Sequence, residues 1–263
     1  MNPEDYLDRI GLDPASVRAN DRETLARLQR AHVTTVPFET LSVTGDPFGD
    51  RDGEGVSLSI PEIYEKVIER RRGGWCFELN GLFGWLLSEL RFDVDRLAAR
   101  VVSDGEARPP ANHHTLLVSL DRPYIVDVGI GTPTMRRPLA LDGAVHADGV
   151  EWRVVGSDRP DADFLTQYRE PGEEAWSDRY VFRTIPREMD FFEATCEYLA
   201  TAPESPFTGD PVVTIATGQG HERLDPETLT EVADDETNER PIAKEEWHEV
   251  LEREFGVRYR PDE

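Results

Sequence analysis

The sequence predicts an α+β fold in three consecutive parts, and the main reason is a change of residue pattern along the chain. Residues 1–90 carry apolar side chains at helical spacing, whereas residues 91–187 divide into short segments of β-branched and aromatic residues. Residues 188–263 return to a mixed pattern. We therefore expect two or three packed subdomains, with helices in the first part, an antiparallel sheet or small barrel in the centre, and two helices and a strand in the last part.

The helical part contains three clear segments. TLARLQRAHVTTV is apolar at helical spacing and ends before Pro37. PEIYEKVIERR opens with a proline in its first turn and runs to Gly73. A third helix begins around Trp75. Its apolar face is formed by Leu79, Leu82, Phe83, Leu86, Leu87 and Leu90.

The later segments follow in order. The expected strands are VDRLAARVVS, HTLLVSL, YIVDVGI, EWRVVGS and DFLTQYRE. After them, EMDFFEATCEYLA predicts a helix, PVVTIAT a strand and EEWHEVLEREFG a closing helix.

The charge is strongly acidic, with 53 acidic against 29 basic residues and a net charge of −24. Such a surface repels nucleic acid and anionic membranes. The only lysines are Lys66 and Lys244, and the acids are spread along the chain. This composition is typical of proteins from salt-accumulating organisms, although binding of a basic partner is an alternative. We expect the fold to require molar salt, which screens the self-repulsion.

Two further features concern the compartment. The first residues, MNPEDYLDRI, are acidic and lack the pattern of a signal peptide, and no apolar run approaches the length of a membrane span. The two cysteines, Cys76 and Cys196, lie 120 positions apart and form no metal motif. We expect a soluble cytoplasmic protein with neither a metal nor a structural disulfide.

Cys76 lies in the segment RRGGWCFELNG, at the predicted start of a helix. The unpaired N–H groups and the dipole at a helix N-terminus favour a thiolate, and Arg71 and Arg72 add positive charge nearby. The preceding glycines allow a sharp turn and close approach of another molecule. We therefore expect Cys76 to be a nucleophile with a lowered pKa. Cys196 lies inside an apolar helix and is expected to be inert.

A thiolate nucleophile usually needs an imidazole that a third group orients. His32 and His248 lie in helical patterns, and His146 and His221 lie in polar stretches, so all four are expected to be ordinary structural or surface groups. His113 and His114 begin a strand, and the next strand contains Asp127 among apolar residues. A lone acid there needs a partner.

The register of these two strands selects one histidine. If His114 lies directly opposite Asp127 in an antiparallel pair, residues 119–122 form a four-residue turn and both side chains share a face. His113 then points away. The prediction is therefore His114, but a shift of one residue would reverse the choice.

These segments resemble the arylamine N-acetyltransferases. RGGWCFELNG is similar to that family's active-site motif, RGGxCxExN, and HVTTVPFETL, NHHTLLVSL, YIVDVGIG and SPFTGDPVVTIAT resemble further segments in the family's order. The chain departs from the pattern at Thr40, where asparagine is usual, and at Ile130, where phenylalanine is usual. The resemblance covers most of the chain.

The resemblance implies a helical bundle (1–90), an antiparallel β-barrel (91–187) and an α/β lid (188–263), with an active core similar to papain and transglutaminases. It implies no permanently bound cofactor, and acetyl-CoA as the co-substrate. Cys76 becomes the acetylated nucleophile, His114 the base and Asp127 its orienter. An arylamine, hydrazine or arylhydroxylamine then accepts the acetyl group.

The resemblance also suggests substrate contacts. For the acceptor these are Phe38, Phe77 and Ile130, although both phenylalanines could be ordinary core residues. For CoA they are Ala111, Asn112, Ser205, Thr208 and Gly209. Because CoA is anionic and the protein acidic, a local cluster of arginines or backbone N–H groups is also required, but the sequence does not locate it.

Other functions use the same three residues. An amide synthase or another acyltransferase would pass the acyl group to a different amine, and a thiol hydrolase would pass it to water. A binding protein that has lost catalysis is a third alternative, although the complete set of cysteine, histidine and aspartate argues against it. We expect a monomer or a weak homo-oligomer.

Overall fold

A computed structural model describes residues 1–49, 53–103, 105–147, 149–233 and 236–259. Its α-helices are α1 (Pro3–Arg9), α2 (Arg22–Val33), α3 (Leu41–Thr44), α4 (Ile60–Tyr64), α5 (Cys76–Glu89), α6 (Glu193–Thr201) and α7 (Trp247–Phe255). Helix α4 continues as a π-helical segment, Glu65–Glu69. Short 3₁₀ segments cover Pro14–Ser16 and Met189–Phe192.

Fourteen strands lie in the described residues. They are β1 (Phe38–Glu39), β2 (Asp93–Ser103), β3 (Glu106–Ala107), β4 (His113–Ser119), β5 (Pro123–Val126), β6 (Leu139–Ala140), β7 (Ala144–Ala147), β8 (Val150–Gly156), β9 (Phe164–Arg169), β10 (Ser177–Pro186), β11 (Val213–Ala216), β12 (Gly220–Leu224), β13 (Thr228–Ala233) and β14 (Glu236–Pro241). All the pairings between these strands are antiparallel.

The larger sheet is a nearly closed barrel. Its strand order is β6-β5-β4-β2-β10-β9-β8-β7, with β3 paired to β2. The edge strand β6 contacts β7 and β8 at the other end of the order, which brings the two edges together. The barrel interior holds a cluster of large side chains that includes Ile125, Trp152, Tyr180 and Phe182. The α+β class and the central antiparallel barrel expected from the sequence are confirmed.

The smaller sheet joins the two ends of the chain. Its order is β1-β11-β12-β13-β14, so that Phe38 pairs with Thr214. Helix α7 packs on this sheet through Trp247, Leu251 and neighbouring apolar residues. The proposed domain limits at 90/91 and 187/188 fall between elements, but strand β1 belongs to the sheet of the C-terminal part.

Helix α5 lies at the centre of the molecule. Its apolar residues Leu79, Leu82, Phe83, Leu86 and Leu87 are fully buried, as the sequence pattern predicts. They pack between the N-terminal helices and the outer face of strand β4, where Leu116 and Val118 belong to the same core cluster. This packing fixes the start of α5 against the barrel. Among the described residues, no helix is long and apolar enough to cross a membrane.

Candidate active site

The segment before Cys76 runs beside strand β1. Gly74 and Phe38 form a parallel bridge, in which the Glu39 N–H donates to the Gly74 carbonyl (2.9 Å). A Cβ atom on Gly73 would lie 2.4 Å from the Pro37 carbonyl oxygen, so only glycine allows this approach. The close contact that the glycine pair permits is therefore with the chain's own backbone.

Cys76 is the first residue of α5, as expected, but its electrostatic environment differs from the prediction. Burial first, and then the Asp127 carboxylate, raise the pKa of the Cys76 thiol well above its usual value, although the backbone N–H groups of Phe77 and His114 lower it. Arg71 is exposed, and Arg72 is bonded to Glu39 and Glu54. The expectation of a lowered thiol pKa was wrong because the thiol is buried and neither arginine faces it.

The register of strands β4 and β5 also differs from the prediction. Ser119 pairs with Pro123 and Leu117 with Ile125, which leaves a three-residue turn and shifts the pairing by one residue. Both turn lengths are common in hairpins, so packing decides between them. Leu116 and Val118 face the helices, whereas Leu117 faces the barrel interior with Ile125.

This shift exchanges the roles of the two histidines. His113 now shares the inner face with Asp127, and its Nε2 donates to Asp127 Oδ2 (2.6 Å). Burial opposes ionisation of Asp127, but the charge of His113 and hydrogen bonds from His113, Asn80 and Gly129 hold the pKa of this carboxyl below its usual value. An ionised carboxylate only accepts, so the imidazole is the donor. The prediction that His114 partners Asp127 was wrong.

His114 lies on the opposite face of β4. Its side chain is fully buried and stacks on Phe192, with ring centroids 5.0 Å apart. Neither ring nitrogen makes a hydrogen bond of normal geometry within the described residues. Burial is the main cause that lowers the pKa of His114 to about 3, so this imidazole is neutral.

Asn80 joins the helix that begins with Cys76 to Asp127, and it was not among the residues predicted for the site. Its Nδ2 donates to Asp127 Oδ1 (2.9 Å) and to the His114 carbonyl, and its Oδ1 accepts from the Val128 N–H (2.8 Å). Cys76 and Asn80 are four residues apart on one helix, so they lie on the same face. That spacing, inside the motif RGGWCFELNG, was the signal that could have identified Asn80.

The turn after Asp127 packs directly on Cys76. A Cβ atom on Gly129 would lie 2.6 Å from the Cα atom of Cys76, so a larger residue would push helix α5 away from the barrel. The Gly129 N–H also donates to Asp127 Oδ1 (3.0 Å). Cys76, Asp127 and the turn are thereby fixed relative to one another.

A cavity of about 600 Å³ opens in front of Cys76. The predicted site residues on its wall are Cys76, Phe38, Ile130, Asn112 and Ser205. His113 also lines the cavity, whereas His114 does not. Thus the wall contains both Cys76 and the histidine that is hydrogen-bonded to Asp127.

Four predicted contact residues do not line this cavity. Phe77 is fully buried between Trp75 and Phe192. This matches the alternative that Phe77 is an ordinary core residue. Thr208 instead donates its hydroxyl to the carbonyls of Ala202 and Ser205. Neither Ala111 nor Gly209 is on the cavity wall.

The cavity carries positive charge in an acidic protein. Arg108, Arg179 and Arg223 line it, together with one carboxylate, Glu204. None of these arginines makes a salt bridge with a carboxylate within the described part of the chain. Three arginines therefore lie on the wall of the cavity that contains Cys76.

The other histidines and the second cysteine considered in the sequence lie away from this cavity or outside the described side chains. His32 is buried and hydrogen-bonded to Tyr6 (2.8 Å), and burial lowers its pKa to about 3. Cys196 is buried, and burial raises its pKa to about 12. Unlike Cys76, it does not line the cavity. The side chain of His146 lies outside the described residues. Within them, no group of three or more His, Cys, Asp or Glu side chains could hold a metal ion.

Comparison with known sequences gives a consistent result. A family model described as N-acetyltransferase matches residues 21–262. The arylamine N-acetyltransferase of Mycolicibacterium smegmatis is 36% identical over 227 residues, which cover 83% of this chain and 78% of the relative. A Gallus gallus arylamine N-acetyltransferase, the pineal gland isozyme NAT-10, is 30% identical over 261 residues, covering 88% and 83%.

Comparison with solved structures agrees. An arylamine N-acetyltransferase of Mycobacterium marinum in complex with CoA superposes with a TM-score of 0.83 at 28% identity, covering 98% of this chain and 93% of that one. A Bacillus cereus arylamine N-acetyltransferase, described as having a Cys-His-Glu triad, superposes with a TM-score of 0.87, covering 98% and 100%. Its identity is 20%, so it shows the fold alone.

Proposed function

The chain belongs to the N-acetyltransferase family, and on that premise we propose that it transfers the acetyl group of acetyl-CoA to the nitrogen of an arylamine, hydrazine or arylhydroxylamine. The observation that carries this proposal is the cavity wall shared by Cys76 and His113, with His113 held by Asp127. A cysteine, an imidazole and an orienting carboxylate form the arrangement required for acyl transfer through a thioester.

In the first half-reaction, His113 removes the proton of the Cys76 thiol. Because Nε2 already donates to Asp127, the other ring nitrogen, Nδ1, accepts it. The buried thiol has a raised pKa, so it ionises only as a pair with the imidazolium, which the Asp127 carboxylate stabilises. The thiolate attacks the acetyl carbonyl, the bond from that carbon to the CoA sulfur breaks, and the proton on His113 passes to the leaving thiolate.

In the second half-reaction, the amine nitrogen attacks the carbonyl of acetyl-Cys76. His113 takes a proton from the nitrogen and returns it to the cysteine sulfur as the thioester breaks. The enzyme is then restored, and the two substrates react in a ping-pong order. Backbone N–H groups at the start of α5 are suitable donors to the oxyanion of each step.

The cavity also supports substrate assignments. Phe38 and Ile130 are the proposed acceptor contacts, and isoleucine at 130 offers an aliphatic surface where the family pattern has a ring. Asn112 and Ser205 are the proposed CoA contacts, on a wall whose net positive charge suits an anionic cofactor. We also infer a cytoplasmic monomer or weak homo-oligomer. Both cysteines are free thiols, as is usual in a reducing compartment.

Intact-protein mass spectrometry after incubation with acetyl-CoA in molar KCl tests the proposal. We expect one acetyl adduct on the wild type, none on Cys76→Ala, and loss of the adduct when an arylamine or hydrazine is added. An adduct that persists in Cys76→Ala would exclude this nucleophile. An adduct that water alone removes quickly would indicate a thiol hydrolase.

A further inference from the structure

Arg179 has an unusual position for a cation in this protein. Acidic residues outnumber basic ones by 53 to 29, and many of the other arginines bond a carboxylate. Arg179 lies on the wall of the active-site cavity and makes no salt bridge within the described residues. Arg179 is half-buried over the Tyr168 ring. The carboxylates of Asp127 and Glu170 act on it only through their charge, without a direct ion pair. The direct contact with a carboxylate is therefore left for a ligand.

The hydrogen bonds of Arg179 leave part of its guanidinium unused. Nη2 donates to the carbonyl oxygens of Ile130 (2.5 Å) and Thr132 (3.1 Å). Nε is buried and unpartnered, and Nη1 makes no hydrogen bond to any described group. Burial lowers the pKa of Arg179, but an arginine keeps its charge in proteins. A planar guanidinium with free donors is suited to bind a carboxylate.

The position of Arg179 identifies which substrate would bring the anion. It contacts the carbonyl of Ile130, and the preceding residue, Gly129, packs on the backbone of Cys76. The group is therefore close to the reacting thioester. The phosphates of acetyl-CoA are separated from the thioester by the whole pantetheine arm, whereas the ring of an acceptor amine must enter next to Cys76.

We propose that Arg179 binds a carboxylate on the acceptor ring, so that this enzyme prefers anionic arylamines such as aminobenzoates to neutral ones. The inference rests on the proposed acetyl transfer and adds the substrate class. Ile130 supplies the aliphatic contact for the ring, and the guanidinium beside its carbonyl supplies the charge. The anionic acceptor thus provides the directly bonded carboxylate that no described residue of the protein provides.

A matched pair of acceptors tests this directly. 4-Aminobenzoate and 4-aminobenzamide have the same size and differ in charge, and kcat/KM is measured for each with wild type, Arg179→Met and Arg179→Lys. A charge-assisted pair predicts that the wild type favours the acid by roughly 10- to 100-fold. Arg179→Met should bring the ratio close to one, and Arg179→Lys should give an intermediate ratio. Arg108→Met, which removes another cavity arginine, should leave the ratio unchanged.

The outcomes separate this inference from the proposed function. If acetyl-Cys76 never forms, the acetyl transfer itself is wrong. If it forms but the wild type shows no preference for the acid, only the role of Arg179 is wrong. If the preference survives in Arg179→Met and both acceptors are slowed equally, Arg179 only stabilises the turn whose carbonyls at Ile130 and Thr132 it binds. Slower acetylation of Cys76 by acetyl-CoA, with an unchanged acceptor ratio, would assign Arg179 to the donor phosphates.

Discussion

The surroundings of Cys76 differ between the side that faces the cavity and the side that faces the protein interior. Histidines and cations are found on both sides but have different partners on each. On the cavity side, His113 donates to Asp127 and lines the open space. On the interior side, the adjacent His114 is buried against Phe192, with neither ring nitrogen in a normal hydrogen bond to a described group. Since neighbouring residues of a strand point to opposite faces, a single step along the chain separates an imidazole that faces the cavity from one that is buried and neutral.

The cations follow the same division. On the interior side, Lys66 bonds Glu78 (2.8 Å) and Arg72 bonds Glu39 (3.0 Å), all of them buried. The Glu78 carboxylate also accepts from the Trp75 N–H and so caps the helix that starts with Cys76. On the cavity side, the arginines have no carboxylate partner within the described chain. The ion pairs therefore stabilise the start of the helix that carries Cys76, whereas the cavity arginines face open space without a bonded carboxylate.

The largest expected effect comes from replacing each of the two histidines in turn with leucine. His113→Leu removes the proposed proton acceptor and should slow Cys76 acetylation by roughly 10²- to 10⁴-fold. His114→Leu replaces a neutral, buried ring and should remain within about tenfold of the wild type. Acetylation rates by mass spectrometry, with thermal unfolding of each variant as a folding control, check this. A larger loss in His114→Leu than in His113→Leu would reinstate the register predicted from the sequence.

Local sequence signals were sufficient for much of this site. Helix α5, its buried face and the position of Cys76 at its start follow from apolar spacing and the glycine pair within a few residues. Strands β4 and β5 follow from short β-branched runs. The register between β4 and β5 could not be predicted in this way, because two turn lengths are both acceptable in a hairpin. The choice between them depends on packing against α5 and inside the barrel.

Long-range contacts account for most of what was missed. Strand β1 pairs with β11 across more than 170 residues, and no local pattern indicates such a partner. Strand β14 is exposed along its whole length and therefore shows no alternation of apolar and polar residues. The raised pKa of Cys76 likewise depends on burial by segments far away in the sequence, whereas the helix start that predicted a lowered pKa is local.

The interior ion pairs allow a second comparison, because the chain has only two lysines. Lys66→Met leaves the buried Glu78 carboxylate without its partner and should lower the free energy of unfolding by about 3–5 kcal/mol. Lys244→Met removes an exposed lysine over the Phe48 ring and should cost less than about 1 kcal/mol. Urea unfolding at fixed KCl concentration measures both.

A double variant identifies the cause of the Lys66 effect. Lys66→Met with Glu78→Gln removes both charges and should recover part of the lost stability, because the unpaired carboxylate is then absent. Equal losses in the single and double variants would show instead that Lys66 acts mainly on the Glu39 carboxylate, which lies 3.8 Å from its Nζ.

The smallest expected effect concerns acid pH and the interior histidine. The pKa of His114 is lowered to about 3 in the folded protein, against about 6.5 in an unfolded chain. Between these values the unfolded state binds more protons, so stability falls as the pH falls from about 6.5. The slope from one such histidine is about 1.4 kcal/mol per pH unit.

His114→Leu should therefore flatten the dependence of unfolding free energy on pH between 7.5 and 5, where carboxyls with lowered pKa, such as Asp127, remain ionised. Lost packing would shift the whole curve without changing its slope. His32 has the same lowered pKa, so His32→Leu in a Tyr6→Phe background, which removes its hydroxyl partner as well, should flatten the curve by a similar amount. If the His114→Leu and wild-type curves run parallel, His114 binds protons in the folded protein as readily as in the unfolded chain. The contrast between the two sides of Cys76 then fails at this residue.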